Sequence, residues 1–369
     1  MVLDFIKNSR RSCIGLDISS KGLTAVSLSP KQKGLTLFNI GFEPFEEDTI
    51  QNGLVINTEC FVKTLERMVN NHKFDTKCVN IAFPGNTAFI KTITLPNLPE
   101  EELKIIVQQE SAKYIPFPMN EANIDFQIME NNKKSSEQAK KVDVILVAVS
   151  KSAVKNYAEL INRADLQLTA VDVAPFAMIR TLGHAGLISD QGSVYISVLI
   201  GEETTDIDII KNGMPVFSNN APIGKRNVLE AVINSLDVNS QEVNSLLHEV
   251  MLIIPGLNMD DLSPNVSKAA SAVRNIYNSI SSEIQKTIEF YYSQNAGQPE
   301  IKNIILGGQG VCIQNIDKYI SNRLKIDTVI CDSLSNIAND LNYGENLLHP
   351  VNIPSLAVSA GLALKGFKG

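Results

Sequence analysis

The sequence predicts an α/β protein of two domains built by duplication. Three observations carry this expectation. At 369 residues the chain is longer than one ordinary core accommodates and fits two. Short runs of branched apolar residues alternate with segments whose apolar residues recur at helical spacing. A pattern of strand, polar turn, strand, glycine turn and strand occurs twice. It is "CIGLDISSKGLTAVSLSPKQKGLTLF" from Cys13 and "SVYISVLIGEETTDIDIIKNGMPVF" from Ser193, about 180 residues apart.

In the first copy, "CIGLDI", "LTAVSLS" and "LTLFNIGF" read as a meander joined by turns containing Gly22 and Gly34. "TECFVKTLERMVNN" follows as a helix, with Phe61, Leu65, Met68 and Val69 on one face and Thr58 as N-cap. "CVNIAF" and "AFIKTITL" return to strand. A helix then starts at Pro99, its first turn carrying Glu100, Glu101 and Glu102 at the positive end of the macrodipole. It must stop before "YIPFP", because Pro116 and Pro118 forbid continuation. The polar segment Glu130 to Lys141 reads as a hairpin tip between the strands "ANIDFQI" and "VDVILVAV". "KSAVKNYAELINRA" is helical, with Val154, Tyr157 and Ile161 on one face, and "LQLTAVDV" is a strand.

The second copy is followed by the helices "KRNVLEAVINSL" and "AVRNIYNSISSEIQKTIEFYY". "NIILGG" reads as a buried strand, and "VCIQNIDKYISNRL" as a helix with Ile313, Ile316, Ile320 and Leu324 in a stripe. The domains expected are 1–190, with an insert of about 84–167, and 191–369, with a small helical part of about 226–300.

Composition narrows the function. With 44% hydrophobic and 20% charged residues the chain reads as soluble and globular. A formal charge of -7 and a pI near 5.3 repel nucleic acid and anionic lipid. Five scattered cysteines without a C-x-x-C pair read as buried thiols in a reducing compartment. "MVLDFIKNSRR" lacks the apolar run of a signal peptide, and "VNIPSLAVSAGLALKG" is interrupted by Pro354, so no direct membrane insertion is expected. A cytoplasmic protein is expected. There is no Walker, dinucleotide-fold or nucleophile-elbow motif. His248-Glu249 has Leu252 where a metalloprotease needs a second histidine, and the other histidines, His72, His184 and His349, show no ligand spacing.

Three turns are candidates for ligand chemistry. Gly307, Gly308, Gln309 and Gly310 stop a strand on bare backbone, where a ligand can approach; a plain turn explains them as well. "DISSKG", Asp17 to Gly22, and "IGEETT", Ile200 to Thr205, are hydroxyl-rich hairpins at equivalent places in the two copies, suited to gripping phosphate oxygens from opposite sides. Asp17 suits Mg2+ held through water, and suits equally a turn residue bonded to its own backbone.

Together these features resemble the actin-like ATPase superfamily. "KYIPFP", "VDVAPFA", "IQKTIEFYY" and the closing "AVSAGLALKG" are similar to the PilM family of type IV pilus assembly, in order and spacing from about Ser12 to Lys368. The resemblance implies an actin-like, ribonuclease H-like duplicated fold with an FtsA-like inserted subdomain. It implies ATP with Mg2+ in the central cleft, and binding of the cytoplasmic N-terminal tail of PilN beside other pilus platform proteins. It also implies recruitment to the inner face of the inner membrane and leaves homo-oligomerisation open. By position, the site residues are Asp17, Ser19, Ser20, Lys21 and Gly22; Gly201, Glu202, Thr204 and Thr205; Gly224 and Lys225; and Gly307 to Gly310. The family usually has glycine at Ser19, often a basic residue at Thr24, and an acid at Leu199. Binding with slow or absent hydrolysis is therefore expected. Tyr114, Pro116 and Phe117 of "YIPFP" either cap a helix or border a groove for an extended peptide. The competing functions are an FtsA-type membrane tether, which lacks its amphipathic helix here, and a small-molecule kinase, for which Asp172 is the candidate base.

Overall fold

The computed structural model describes residues 12–32, 34–51, 53–129, 141–189, 192–238, 243, 252, 263–295, 299–338 and 352–367. Of the expected hairpin tip, residues 130–140 lie outside this set, as do His248, His349 and most of the segment between 239 and 262.

The first half opens with the expected meander, β1 (Ile14–Ile18), β2 (Gly22–Lys31) and β3 (Gly34–Pro44). A short hairpin, β4 (Ile50–Gln51) and β5 (Leu54–Val55), leads into α1 (Thr58–His72) and β6 (Cys78–Phe83). After β7 (Phe89–Pro96), α2 (Glu100–Ser111), β8 (Ala122–Ile128) and β9 (Lys141–Ser150) come α3 (Lys151–Arg163), β10 (Gln167–Val173) and α4 (Ala174–His184). The second half runs β11 (Val194–Ile200), β12 (Thr205–Lys211), β13 (Met214–Ala221), α5 (Lys225–Leu236), α6 (Pro264–Gln294), β14 (Ile301–Gly307), α7 (Ile316–Leu324), β15 (Thr328–Ile330) and α8 (Ala357–Lys365).

The duplication is explicit in the sheets. The first has the order β10-β6-β1-β2-β3 and the second β15-β14-β11-β12-β13, each with an antiparallel meander and two parallel strands added beside its first strand. Parallel strands buried on both faces read as continuous apolar runs, and β11 is buried along its whole length. One large core lies under the second sheet, where Val228 and Val232 of α5 meet Val273, Tyr277 and Ile284 of α6.

A third sheet, β7-β9-β8, comes from the insert. Strand alternation sends Val144, Leu146 and Ala148 of β9 toward Leu103 and Val107 of α2, and Ile145, Val147 and Val149 into the core of the first sheet. α3 shares that core through Tyr157, Leu160 and Ile161.

α8 returns to the first half. It is apolar all round and packs on α4, β1, β2 and β6. The Asn80 side-chain amide donates to the Leu362 carbonyl at 3.0 Å, and Arg180 on α4 donates to the Gly361 carbonyl at 2.8 Å. Asp172 sits between α4 and α8, accepting from Arg180 at 2.8 Å and Lys365 at 3.1 Å. Burial pushes the Asp172 carboxyl up, but Lys365 and Arg180 outweigh it and hold it below the usual carboxylate range. Committed to two cations in this way, Asp172 suits a structural crossover at "VDVAP" better than a kinase base. Among the described residues, no helix is long and apolar enough to cross a membrane.

Three boundaries differ from the sequence reading. The N-cap of α1 is Asn57, whose side chain accepts from the Cys60 N–H at 3.1 Å, and Thr58 is the first helical residue. α6 begins at Pro264, capped by Ser263, about two turns before the expected start. α7 begins only at Ile316, because Asn315 is left-handed at φ 64 and the preceding residues form no helix.

Candidate functional site

Two hairpins face each other between the sheets. The turn from β1 to β2 closes on itself: Ser19 N–H donates to the Gly22 carbonyl at 3.0 Å, and Ser19 Oγ accepts from Lys21 N–H at 3.3 Å. The turn from β11 to β12 closes through Gly201 N–H to the Thr204 carbonyl at 2.8 Å. The head of α5 is docked behind this second turn. Lys225 and Arg226 N–H groups donate to the Gly201 and Glu202 carbonyls at 2.9 Å, and Thr205 Oγ1 donates to the Ile223 carbonyl at 2.6 Å.

Between the hairpins lies a cavity of about 290 Å³. Of the candidate residues, Asp17, Ser19, Ser20, Gly201, Glu202, Thr204, Gly308 and Gln309 line it. Lys21, Gly22, Thr205, Gly224, Lys225, Gly307 and Gly310 do not line its wall. Lys21 and Lys225 act at longer range, by tempering the charge of Glu202.

The glycine stretch is explained by the fold before any ligand. Gly308 has φ +94, and a Cβ there would fall well under 3.0 Å from the Ile200 carbonyl oxygen. Its N–H donates to the Pro354 carbonyl and that of Gly310 to the Ile200 carbonyl, both at 2.8 Å. The bare backbone lets β14 turn across the end of β11. α7 starts six residues beyond Gly310, so no helix opens directly from this turn.

Four carboxylates lie at or behind the cleft: Glu202, Asp206 and Asp208 are buried and Asp17 is half-buried. Desolvation pushes Asp17 up to about 7 against one hydrogen bond from the Ile18 N–H. Burial also raises Glu202, tempered by Lys225 and Lys21, and its Oε1 is buried without a hydrogen-bond partner among the described residues. Asp206 is pushed up to about 6 by burial, offset by Asn220 at 2.7 Å and the Gly85 N–H. Behind it, burial and the Asp206 charge push Asp208 up to about 8.

Sequence reasoning missed Asp206, which lies directly across the β11–β12 ladder from Leu199 and lines the same cavity. The signal was present in "TDIDI", where two acids alternate with isoleucines that enter the core. Glu203, within the expected hairpin Ile200 to Thr205, also lines the cleft, as do Asn86 and Arg226, which were missed. Gly85 contacts Asp206 so closely that a Cβ there would collide with Oδ1.

These residues fit a magnesium nucleotide. Ser19, Ser20 and Thr204 offer hydroxyls, Lys21, Lys225 and Arg226 supply positive potential, and Asp17 is a desolvated carboxylate with no cation near enough to lower it. The orphaned Glu202 Oε1 would be satisfied by a hydrated cation.

A larger cavity, about 1130 Å³, lies elsewhere. It is walled by Asp125 and Gln127 of the edge strand β8, by Arg180, Gly183 and His184 of α4, by Lys365, and by Met214 and Pro215 of β13. Tyr114, Pro116 and Phe117 do not line it. Phe117 packs with α2 on the other face of the inserted sheet, and Tyr114 lies under Lys91 Nζ at 4.2 Å on the opposite edge strand. The strands on either side of "YIPFP" in the sequence, β7 and β8, are separated in the sheet by β9.

A family model described as type IV pilus assembly protein PilM matches residues 15–367. The chain belongs to the PilM family. Its fold is similar to the solved "PilM-PilN type IV pilus biogenesis complex", with a TM-score of 0.82 at 21% identity, covering 98% of this chain and 100% of that one. It is also similar to MreB5 of Spiroplasma citri bound to AMPPNP, with a TM-score of 0.55, 13% identity and 96% and 95% coverage. The ethanolamine utilization protein EutJ from Carboxydothermus hydrogenoformans gives 0.55, at 12% identity over 99% and 92%. At these identities the likenesses establish an actin-like fold for this PilM-family chain.

Proposed function

We propose that this chain is a nucleotide-binding adaptor of the type IV pilus platform, which holds ATP-Mg2+ in the hairpin cleft and the N-terminal tail of PilN in the larger groove. The observation that carries the reading is the groove itself. It combines a sheet edge, apolar walls from Phe176, Ile179 and Ile188, and charges of both signs. An extended tail would find there main-chain partners on β8 and pockets for alternate side chains. The inserted subdomain, about 84–167, supplies one wall of the groove and the cleft loop with Gly85 and Asn86, so ATP and tail are coupled, each changing the other's affinity by the same factor.

Turnover is slow or absent on this reading. Leu199 ends β11 without a carboxylate, and Asp206 opposite it is already held by Asn220 and Gly85. Residues Asp17, Ser19, Ser20 and Thr204 would hold the phosphates and the metal's water shell, with chemistry limited to orientation.

Gly183 provides the test. It lines the groove on α4, and a Cβ there meets nothing within 4 Å, so Gly183→Trp fills the groove without disturbing the core. Calorimetry with a synthetic PilN tail should show at least tenfold weaker binding by Gly183→Trp and unchanged ATP affinity. Equal tail binding by the two proteins would place the tail elsewhere.

A further inference from the structure

We infer that Glu203 occupies the phosphate seat of the cleft in the ligand-free protein, and that an incoming polyphosphate must displace its carboxylate. The inference rests on the nucleotide reading above and adds the residue that sets its strength. Glu203 is at the tip of the second hairpin and reaches across the cleft to the first: Ser20 Oγ donates to Glu203 Oε1 at 2.8 Å. Its other oxygen, Oε2, is 2.8 Å from Arg226 Nη2. A hydroxyl and a guanidinium converging on one anionic group are what a phosphate takes from a protein. Here the anion is supplied by the chain.

The arrangement joins residues 183 positions apart and ties the two halves across the cavity. It is also releasable. The Glu203 side chain is 34% exposed and that of Arg226 54%, so the carboxylate can rotate into water without leaving a buried charge unpaired. Glu202 next to it cannot, being 6% exposed. Release frees Ser20 Oγ and Arg226 Nη2 together, while Arg226 Nε keeps Glu230 at 3.7 Å, and removes a negative charge from the path of an anionic ligand. Glu203 thus acts as an internal competitor: it favours ligands with enough charge to replace it at both partners, and it disfavours weaker anions.

Glu203→Gln isolates the charge while leaving an acceptor for Ser20, and Glu203→Ala removes both. Titration calorimetry of full-length protein with ATP, inorganic triphosphate and adenosine reads the effect. Glu203→Gln should bind ATP and triphosphate about two- to fivefold more tightly, the scale of one partly exposed charge contact, and adenosine unchanged. In the absence of ligand, Glu203→Ala should show faster hydrogen exchange in both hairpins. If wild type binds ATP and Glu203→Gln binds ATP and triphosphate equally or more weakly, the inference is overturned and the nucleotide reading stands. ATP binding only after the substitution supports both. No binding of ATP by any of the three proteins overturns both.

Discussion

Gly308→Ala separates two reasons for a glycine in the cleft: the protein's own packing, or room for a ligand. The alanine would adopt φ near +94, a region costing an L-residue about 1–2 kcal/mol. Its Cβ would also overlap the Ile200 carbonyl and press Leu199 Cδ1 at 3.0 Å. Relieving that contact requires β11 and β14 to separate, an overpacking cost of about 1–3 kcal/mol. The sum is roughly 2–5 kcal/mol. Gly34→Ala is the control, because Gly34 has φ +96 and nothing within 4 Å of its Cβ, so it carries the conformational cost alone. Urea unfolding of both variants gives the overlap by difference, provided m is unchanged. Equal destabilisation of the two, combined with lost ATP binding only in Gly308→Ala, would refute the packing argument and restore the ligand one.

Asp172→Asn should destabilise the fold by about 3–5 kcal/mol in urea, because Arg180 and Lys365 are left buried without their anion. Asp17, Asp206 and Asp208 have folded pKa values of about 7, 6 and 8 against an ordinary 3.8, so the folded state binds more protons over that range. The stability they contribute is complete below about pH 4 and lost as pH rises toward 8. The melting temperature of ligand-free protein should fall across that window, and Asp208→Asn should flatten the fall. Asn57→Ala should cost about 1 kcal/mol in chemical unfolding through the lost cap, and Thr58→Ala much less.

The meanders were legible because their turns carry glycine at positions that alternation leaves between strands, and both copies say the same thing. Helix bodies were legible from period, and their ends less so. α7 was extended back over Cys312 and Gln314 because Ile313 continues the stripe; the left-handed Asn315 that stops the helix leaves no hydrophobic signal. α6 was started late, although "SPN" is an N-terminal signature, because its first turns bury few large residues. The two facing hairpins are legible through the repeat, whereas Asp206 lies on the strand that follows, where an acid between isoleucines reads as ordinary alternation. The placement of Tyr114 away from the groove depends on β9 entering between β7 and β8, a strand order that no local pattern encodes.

The return of α8 to the first half has a consequence for how the chain is made. β1 and β6 emerge early from the ribosome, yet the surface they present is covered by residues 357–365, and Asn80 waits 282 residues for the Leu362 carbonyl. At a synthesis rate of roughly 5–20 residues per second, that interval is on the order of tens of seconds. During it the first sheet is an open apolar face. The second sheet waits on the same helix, since Tyr195, Leu199, Ile210 and Ile305 share a core with Ala357, Val358 and Leu362. Both halves therefore keep apolar surface uncovered until α8 is released, and α8 is the piece on which they close together.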